Sequence, residues 1–252
     1  MKRYGKMVLL AWPERPCSNI RMSTPDLDNT SVPLPNLAES YWRLVEVRTR
    51  FPGAPLTRIS PDWREKPVPG GPAARLFARH MAGIGTVLDV GAGDRYWSDV
   101  LRRMGIGTDY RSADVETGHE HDYGDFLAVE DKFDAVLMLE LIEHLPLELG
   151  LAFIEHAVEL LNPGGTLVIG TPNAHHPNWV WSSCLTHIRP WPVQDLWAVC
   201  QLSGLTRVEA YRQMLVTPRR RPLLPVQLGL SKLLGLDPAH GVMVFAHKPP
   251  LS

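Results

Sequence analysis

Hydrophobic positions follow different patterns before and after residue 72. Residues 1–72 hold eleven of the 23 prolines and show no sustained alternation of apolar and polar positions, so we expect no strand of a central sheet there. Within this stretch, residues 37–48 carry apolar side chains at helical spacing, which predicts one helix packed on the core. The chain is therefore predicted to comprise a proline-rich arm over 1–72 and a main domain over 73–252.

From residue 72 onward, short apolar runs alternate with stretches of helical spacing. The runs predict strands over 85–90, 108–114, 133–139, 166–170, 206–212 and 242–247. The helical spacing predicts helices over 73–82, 96–104, 147–161 and 193–202, and 162–165 reads as a glycine-rich turn. Strands that alternate with helices predict an α/β domain, in which a parallel sheet is covered by right-handed crossovers.

Composition narrows the class of protein. The chain is 44% hydrophobic and 21% charged with a formal net charge of -1, as in ordinary folded proteins. Nucleic acid is not an expected partner, because domains that rely on phosphate contacts are commonly basic. Cys17, Cys184 and Cys200 are widely spaced, so they predict neither a disulfide framework nor a zinc knuckle.

The first residues also bear on location. A basic start and a short apolar run precede residue 13, but the run is too short for a secretory signal. No stretch approaches the roughly 20 apolar residues of a membrane span. We expect a cytoplasmic protein without a stable membrane anchor.

A glycine turn follows the first strand of the main domain. Gly91 and Gly93 allow the backbone to approach a ligand, but Tyr96 stands where a dinucleotide fingerprint needs a small residue. In a dinucleotide site, Asp94 would also lie beside the pyrophosphate, where its carboxylate would cancel the positive end of the helix that binds phosphates. A dinucleotide is therefore disfavoured. Asp114, 21 positions after Gly93, ends the second strand where a carboxylate can bind both ribose hydroxyls. The turn therefore predicts a nucleoside ligand without phosphates.

Several ordered segments resemble the class I S-adenosylmethionine-dependent methyltransferases. They are 87–94, 113–114, 124–126, 133–140, 143–144 and 161–173. The resemblance covers roughly residues 73 to 213 and is greatest to ubiquinone-biosynthesis-like and natural-product tailoring methyltransferases. It implies a Rossmann-like, seven-stranded, mostly parallel sheet with helices on both faces and an antiparallel last strand.

The same resemblance implies S-adenosyl-L-methionine as the cofactor and assigns residues to it. Asp89, Gly91 and Gly93 would shape the methionine side of the pocket, and Asp114 would bind the ribose. The remaining implied contacts are Asp125 and Phe126 at the adenine, together with Leu139. Arg95 departs from the family pattern, in which a small residue is usual, and either reaches the cofactor carboxylate or faces solvent.

The predicted acceptor is a small molecule or a glycosyl group, methylated at oxygen in a biosynthetic pathway. His144 and Glu143 are the candidate catalytic residues, because a base helps a hydroxyl acceptor. The alternative is that this pair only fixes its loop. No metal is predicted.

Two other functions remain open at this point. Residues 140–144 also resemble the metal-binding segment of small-RNA 2'-O-methyltransferases, with Glu140, Glu143, His144 and His187 as the ligands that the resemblance implies. The aromatic and acidic pattern around the last ligand in those enzymes is absent here. A non-catalytic protein that binds S-adenosylmethionine is the other alternative.

Two further segments carry predictions about the acceptor. His175, His176, Trp179 and Trp181 follow a strand on the ligand side of the sheet and either shape an acceptor pocket or pin a surface loop. Residues 216–240 form a lid-like insertion with a basic start and an apolar helix. That insertion is interpreted as a lid or homodimer contact, and contact with a membrane surface or a lipid-linked substrate is the alternative.

Overall fold

A single seven-stranded sheet organises the chain. The computed structural model describes residues 37–59, 71–106, 109–177, 182, 184–217 and 222–251. The strands are β1 Leu56–Ile59, β2 Thr86–Val90, β3 Asp109–Ala113, β4 Phe133–Leu139, β5 Leu161–Pro172, β6 Thr206–Leu215 and β7 Gly241–His247. The helices are α1 Leu37–Thr49, α2 Pro72–His80, α3 Tyr96–Met104, α4 Leu147–Leu160, α5 Val193–Leu202 and α6 Leu224–Leu233.

The strands lie in the order β1-β6-β7-β5-β4-β2-β3. Strands β3, β2, β4 and β5 pair in parallel, whereas β7 is antiparallel to both of its neighbours, β5 and β6. The predicted Rossmann-like sheet, mostly parallel with an antiparallel last strand, is therefore confirmed.

Helices cover both faces of this sheet. Successive side chains of a strand point to opposite faces, so along β4 Leu137 joins one buried cluster and Met138 joins the other. Helices α2 and α3 pack on the first face, and α4 and α5 pack on the second. Helix α1, predicted from its apolar spacing, also packs on the second face and contacts α5.

The expectation that residues 1–72 contribute no strand is wrong. Strand β1 pairs in parallel with β6, and its last residue, Ile59, is buried. Four residues between prolines are too few to show an alternating pattern, so their pairing depends on the exposed edge of β6. The domain boundary at residue 72 stays a prediction.

The boundaries of other elements differ in smaller ways. Residues 162–165, predicted as a turn, lie within β5 as a bulge: Leu161 pairs with Phe133, and the next paired residue of β5, Thr166, faces Ala135. Helix α2 ends at His80 because Met81 leaves the helical conformation. Strand β6 continues to Leu215, beyond its predicted end.

The sheet has one edge suited to ligands. The chain runs from β2 outward to β3 and then returns across β2 to β4, so β2 and β4 border a topological switch point. In open parallel sheets, ligands bind beyond the carboxyl ends of the strands at such a point. The segments after β2, β3, β4 and β5 are therefore the candidates for the functional site.

Replacing Phe245 tests the buried core. Its side chain is fully buried in β7. Its ring centre lies 4.3 Å from that of His80, on which it stacks, and 5.6 Å from that of Phe77, which it meets edge-on. We expect Phe245→Ala to lower the free energy of unfolding by about 3–5 kcal/mol, measured by urea denaturation. Leu251→Ala, at a residue that is 84% exposed, is the control and should change it little. Equal effects of the two variants would contradict this packing.

Candidate active site

The glycine bend after β2 is open on one side. Gly91 and Gly93 have φ angles of 71° and 52°, which favour glycine. A Cβ atom at Gly91 would lie 2.8 Å from the Leu141 side chain, whereas one at Gly93 would meet nothing within 4 Å. The backbone at Gly93 is therefore accessible to a ligand.

Asp114 lies directly against this bend. Its Oδ2 accepts a hydrogen bond from the Gly93 backbone N–H at 2.7 Å, and its Oδ1 accepts one from the Glu116 N–H at 2.9 Å. The carboxylate is thereby held at the carboxyl end of β3 beside the glycine bend. The structure brings these two predicted cofactor residues together.

Asp89 lies beneath the bend and is 1% exposed. Burial raises the pKa of its carboxyl to about 7, and the nearby Asp114 adds to this shift. The Tyr110 hydroxyl donates a hydrogen bond of 2.5 Å to Asp89, which opposes the shift. Tyr110 was not predicted, because its partner is set by the pairing of β2 with β3 rather than by any local motif.

Arg95 is directed toward the loop after β3. Its Nη1 donates to the Glu120 carbonyl at 3.1 Å, and its guanidinium carbon lies 5.6 Å from the centre of the Tyr110 ring. Its Nη2 also approaches the Asp122 carboxylate at 3.6 Å. These contacts connect the start of α3 to the loop that follows Asp114.

The residues predicted to contact the adenine, and Leu139, differ in exposure. Asp125 is exposed and caps a short 3-10 helix, where its Oδ1 accepts the Leu127 N–H at 3.0 Å. Phe126 is only 5% exposed, and its ring centre lies 4.9 Å from that of Phe153 in the core. Leu139 is 6% exposed at the end of β4. The geometry places the Asp125 carboxylate, rather than the Phe126 ring, at the surface.

Glu143 and His144 lie on a second short 3-10 helix just beyond β4. Glu143 is 1% exposed, and its Oε2 accepts a hydrogen bond from the Thr171 hydroxyl at 3.0 Å. Burial raises the pKa of the Glu143 carboxyl well above its usual range. Burial lowers the pKa of His144, whose Nδ1 lies 3.1 Å from the Thr186 carbonyl oxygen.

His187 joins this pair from the loop after β5. Its ring centre lies 4.8 Å from that of His144, and its Nε2 lies 4.0 Å from Glu143 Oε1. The Glu143 carbonyl accepts hydrogen bonds from the backbone of Ile188 and Arg189, which fixes the loop. Whether the pair acts on an acceptor or only fixes its loop stays a prediction.

The predicted aromatic acceptor segment is only partly described. Trp179 and Trp181 lie outside the described residues. His176 is buried, with its ring centre 4.5 Å from that of His240, and His175 is exposed. The role of this segment in binding an acceptor stays a prediction.

Residues 45–210, more than half of the chain, match the protein family described as methyltransferase domain. The chain belongs to this family. The predicted class I S-adenosylmethionine-dependent methyltransferase and its cofactor are thereby confirmed. In the described ranges, no helix has both the length and the apolar character needed to cross a bilayer.

Two curated relatives of this methyltransferase are ubiquinone biosynthesis O-methyltransferases. The one from Azorhizobium caulinodans is 33% identical over 103 residues, which are 34% of this chain and 40% of the relative. The one from Paramagnetospirillum magneticum is 30% identical over 168 residues, which are 57% of this chain and 62% of the relative. The matches therefore span less than two thirds of the length of these relatives.

Solved structures of methyltransferases share the fold. An S-adenosylmethionine-dependent methyltransferase from Archaeoglobus fulgidus aligns with a TM-score of 0.56 and 16% identity, over 84% of this chain and 98% of that chain. An O-methyltransferase family protein from Burkholderia thailandensis aligns with a TM-score of 0.51 and 16% identity, over 72% and 56% of the two chains. At these identities the likeness shows the fold alone.

The buried carboxyl of Asp89 makes stability depend on pH. Because its pKa is about 7 in the folded protein and 3.8 for an ordinary, solvated aspartate, the unfolded chain loses this proton first as pH rises. Stability should therefore fall between about pH 4 and 7 by roughly 1.4 kcal/mol per unit of pKa difference. We expect Asp89→Asn to remove this component, measured by urea denaturation across that range without cofactor. The exposed Asp109→Asn is the control, and a pH-independent difference between Asp89→Asn and wild type would refute the assignment.

Proposed function

We propose that this protein transfers a methyl group from S-adenosylmethionine to an oxygen atom of a small-molecule or glycosyl acceptor in a biosynthetic pathway. The observation that carries the proposal is the hydrogen bond from Gly93 N–H to Asp114, which joins an open glycine bend to a carboxylate. A carboxylate in this position suits the two hydroxyls of a ribose. The names of the two curated relatives support oxygen as the acceptor atom.

The cofactor would lie across the carboxyl ends of β2 and β3. We assign the ribose to Asp114 and the exposed carboxylate of Asp125 to the adenine edge, with Phe126 supporting that loop from the core. Asp89, Gly91 and Gly93 would shape the methionine end, and Leu139 would border the pocket from β4. The buried Asp89 carboxyl is suited to a ligand that carries a positive charge, because such a charge favours its ionised form.

The acceptor would approach from the side of β4 and β5. S-adenosylmethionine supplies an electrophilic methyl group on a sulfonium, so the protein has to align the acceptor oxygen and exclude water. Glu143 and His144 are the residues we assign to the acceptor. Their short helix directly follows β4, at the same edge of the sheet as the glycine bend.

The insertion over 216–240 is suited to a lid. It leaves β6 at its carboxyl end, which is the same edge of the sheet, and Leu224 of α6 packs on Met214 and Val216. The outer side of the insertion carries exposed apolar side chains, namely Leu223, Val226, Leu230, Leu233 and Leu234. We propose that this insertion covers the acceptor or contacts a second copy of the chain.

The division of the chain is a separate proposal: residues 1–72 are an arm on the 73–252 domain.

Removing the charge of Asp114 tests the cofactor site. We expect Asp114→Asn to weaken binding of S-adenosylhomocysteine about tenfold to a hundredfold, because charge-assisted hydrogen bonds to the ribose contribute about 1.5–3 kcal/mol. Isothermal titration calorimetry measures the affinity, and circular dichroism checks the fold. Asp109→Asn removes a carboxylate from the other end of β3 and should bind as wild type does. Unchanged affinity in Asp114→Asn would remove the ribose assignment.

Product analysis tests the acceptor atom. The protein is incubated with S-adenosylmethionine carrying a ¹³C-methyl group and with matched phenolic, sugar-hydroxyl and amine compounds. We expect S-adenosylhomocysteine to form with hydroxyl compounds, and the labelled methyl carbon to show the NMR shift of a methoxy group. Methylation confined to amines would contradict oxygen transfer. Cofactor binding without turnover on any of these compounds would favour the non-catalytic alternative.

A further inference from the structure

Asp89 places a buried carboxyl group beneath the open glycine bend. The residue is 1% exposed, and its Oδ2 accepts a hydrogen bond of 2.5 Å from the Tyr110 hydroxyl. Burying a carboxylate is costly unless a polar partner stabilises its charge. Tyr110 therefore influences how readily Asp89 can be ionised.

The register of β2 and β3 gives this role to Tyr110. Asp89 is paired with Ser112, but the Ser112 hydroxyl donates to the Asp122 carboxylate at 3.0 Å. Side chains two residues apart in a strand lie on the same face, so Tyr110 reaches Asp89 diagonally from β3. On β4, the residue paired with Asp89 is the apolar Leu137. Strand β3 thus acts on Asp89 through the Tyr110 hydroxyl.

The Tyr110 hydroxyl stays protonated near neutral pH. Burial and the neighbouring Asp89 charge raise its pKa above the ordinary value of a tyrosine. Arg95, whose guanidinium carbon lies 5.6 Å from the centre of the Tyr110 ring, opposes this rise in pKa. A hydrogen bond donated to a carboxylate favours its charged form. The hydroxyl therefore favours ionised Asp89.

The charge of Asp89 is balanced between opposing effects. Burial is the largest of them and raises the pKa of this carboxyl to about 7, whereas the hydrogen bond from Tyr110 lowers it. Among the charged neighbours, Asp114 and Asp94 raise the pKa and Arg95 lowers it. Near neutral pH, the loss of one hydrogen bond or the arrival of a positive charge therefore changes the ionisation of Asp89.

From these contacts we propose that Tyr110 is a positioning residue, whose hydroxyl holds Asp89 as an ionised carboxylate directed at the ammonium group of the cofactor's methionine part. On binding, the Asp89 proton passes to solvent and the ammonium group keeps its own protons, so cofactor affinity is coupled to pH. The inference rests on the proposed function in one respect, namely that Asp89 lies at the methionine end of the cofactor.

Binding of two ligands across pH 5.5 to 8.5, measured by calorimetry, tests this coupling. S-adenosylhomocysteine carries the ammonium group, whereas 5'-methylthioadenosine has the same adenosine and sulfur without the amino-acid part. We expect wild type to bind S-adenosylhomocysteine about tenfold more weakly at pH 6 than at pH 8, because only the ionised fraction of Asp89 is competent. The ratio of the two affinities is the readout, since any effect of pH on the ribose side is common to both ligands.

Tyr110→Phe removes only the hydroxyl. We expect the midpoint of the pH dependence to rise by about one pH unit or more, because hydrogen bonds to charged groups are strong. S-adenosylhomocysteine should then bind about fivefold more weakly than to wild type at pH 7, with 5'-methylthioadenosine unaffected. Asp89→Asn should abolish the pH dependence of the ratio. Tyr123→Phe is the matched control, since the Tyr123 hydroxyl also donates to a carboxylate, that of Asp131, at 2.5 Å.

The outcomes separate this inference from the proposed function. If S-adenosylhomocysteine binds but its pH dependence equals that of 5'-methylthioadenosine, or is unchanged in Tyr110→Phe, the inference is overturned and the cofactor site stands. Equal weakening of both ligands in Tyr110→Phe shows a merely structural role and also overturns it. If neither ligand binds at any pH, the cofactor site itself is overturned. Circular dichroism checks each fold, and if Tyr110→Phe unfolds, wild type and Asp89→Asn decide.

Discussion

The parallel alignment of β2 and β3 is the constraint on which the cofactor side of the site depends. Val90 pairs with Ala113, so the residues that follow the two strands, the glycine bend and Asp114, emerge at the same level. The hydrogen bond from Gly93 to Asp114 closes this arrangement. A slip of one residue in β3 would turn Asp114 to the opposite face of the sheet, because side chains alternate along a strand. The position of the carboxylate is thus a consequence of strand register.

The side of the site that we assign to the acceptor is organised by buried polar contacts instead. Glu143 connects the loop after β4 to Thr171 of β5 through its side chain and to the loop after β5 through its carbonyl. Trp191 adds a third link, since its indole N–H donates to the Ile142 carbonyl at 2.9 Å. A buried carboxyl group is costly in a core unless it is paired, and such groups cluster at functional sites. The same contacts therefore account for a rigid loop.

Local pattern was sufficient for most elements of the sheet. Strand β4 has the bounds that its apolar run predicted, because six of its seven residues are buried and both faces of the strand are covered. Strand β1 was missed, since its four residues show no pattern until β6 offers an edge. The Phe126 ring packs on Phe153, and its contact with the adenine, which the resemblance implies, stays a prediction. Sequence order does not specify which side of a short helix faces the core.

The sequence by itself determined the types of element, the glycine bend and the carboxylates that follow the strands, because these depend on neighbouring residues and on backbone preferences. It also carried the resemblance to methyltransferases. Only the tertiary structure decided that Tyr110 meets Asp89 and that His187 meets Glu143 and His144. These contacts join residues far apart in the chain. Their partners are set by strand pairing and loop packing, which no local pattern encodes.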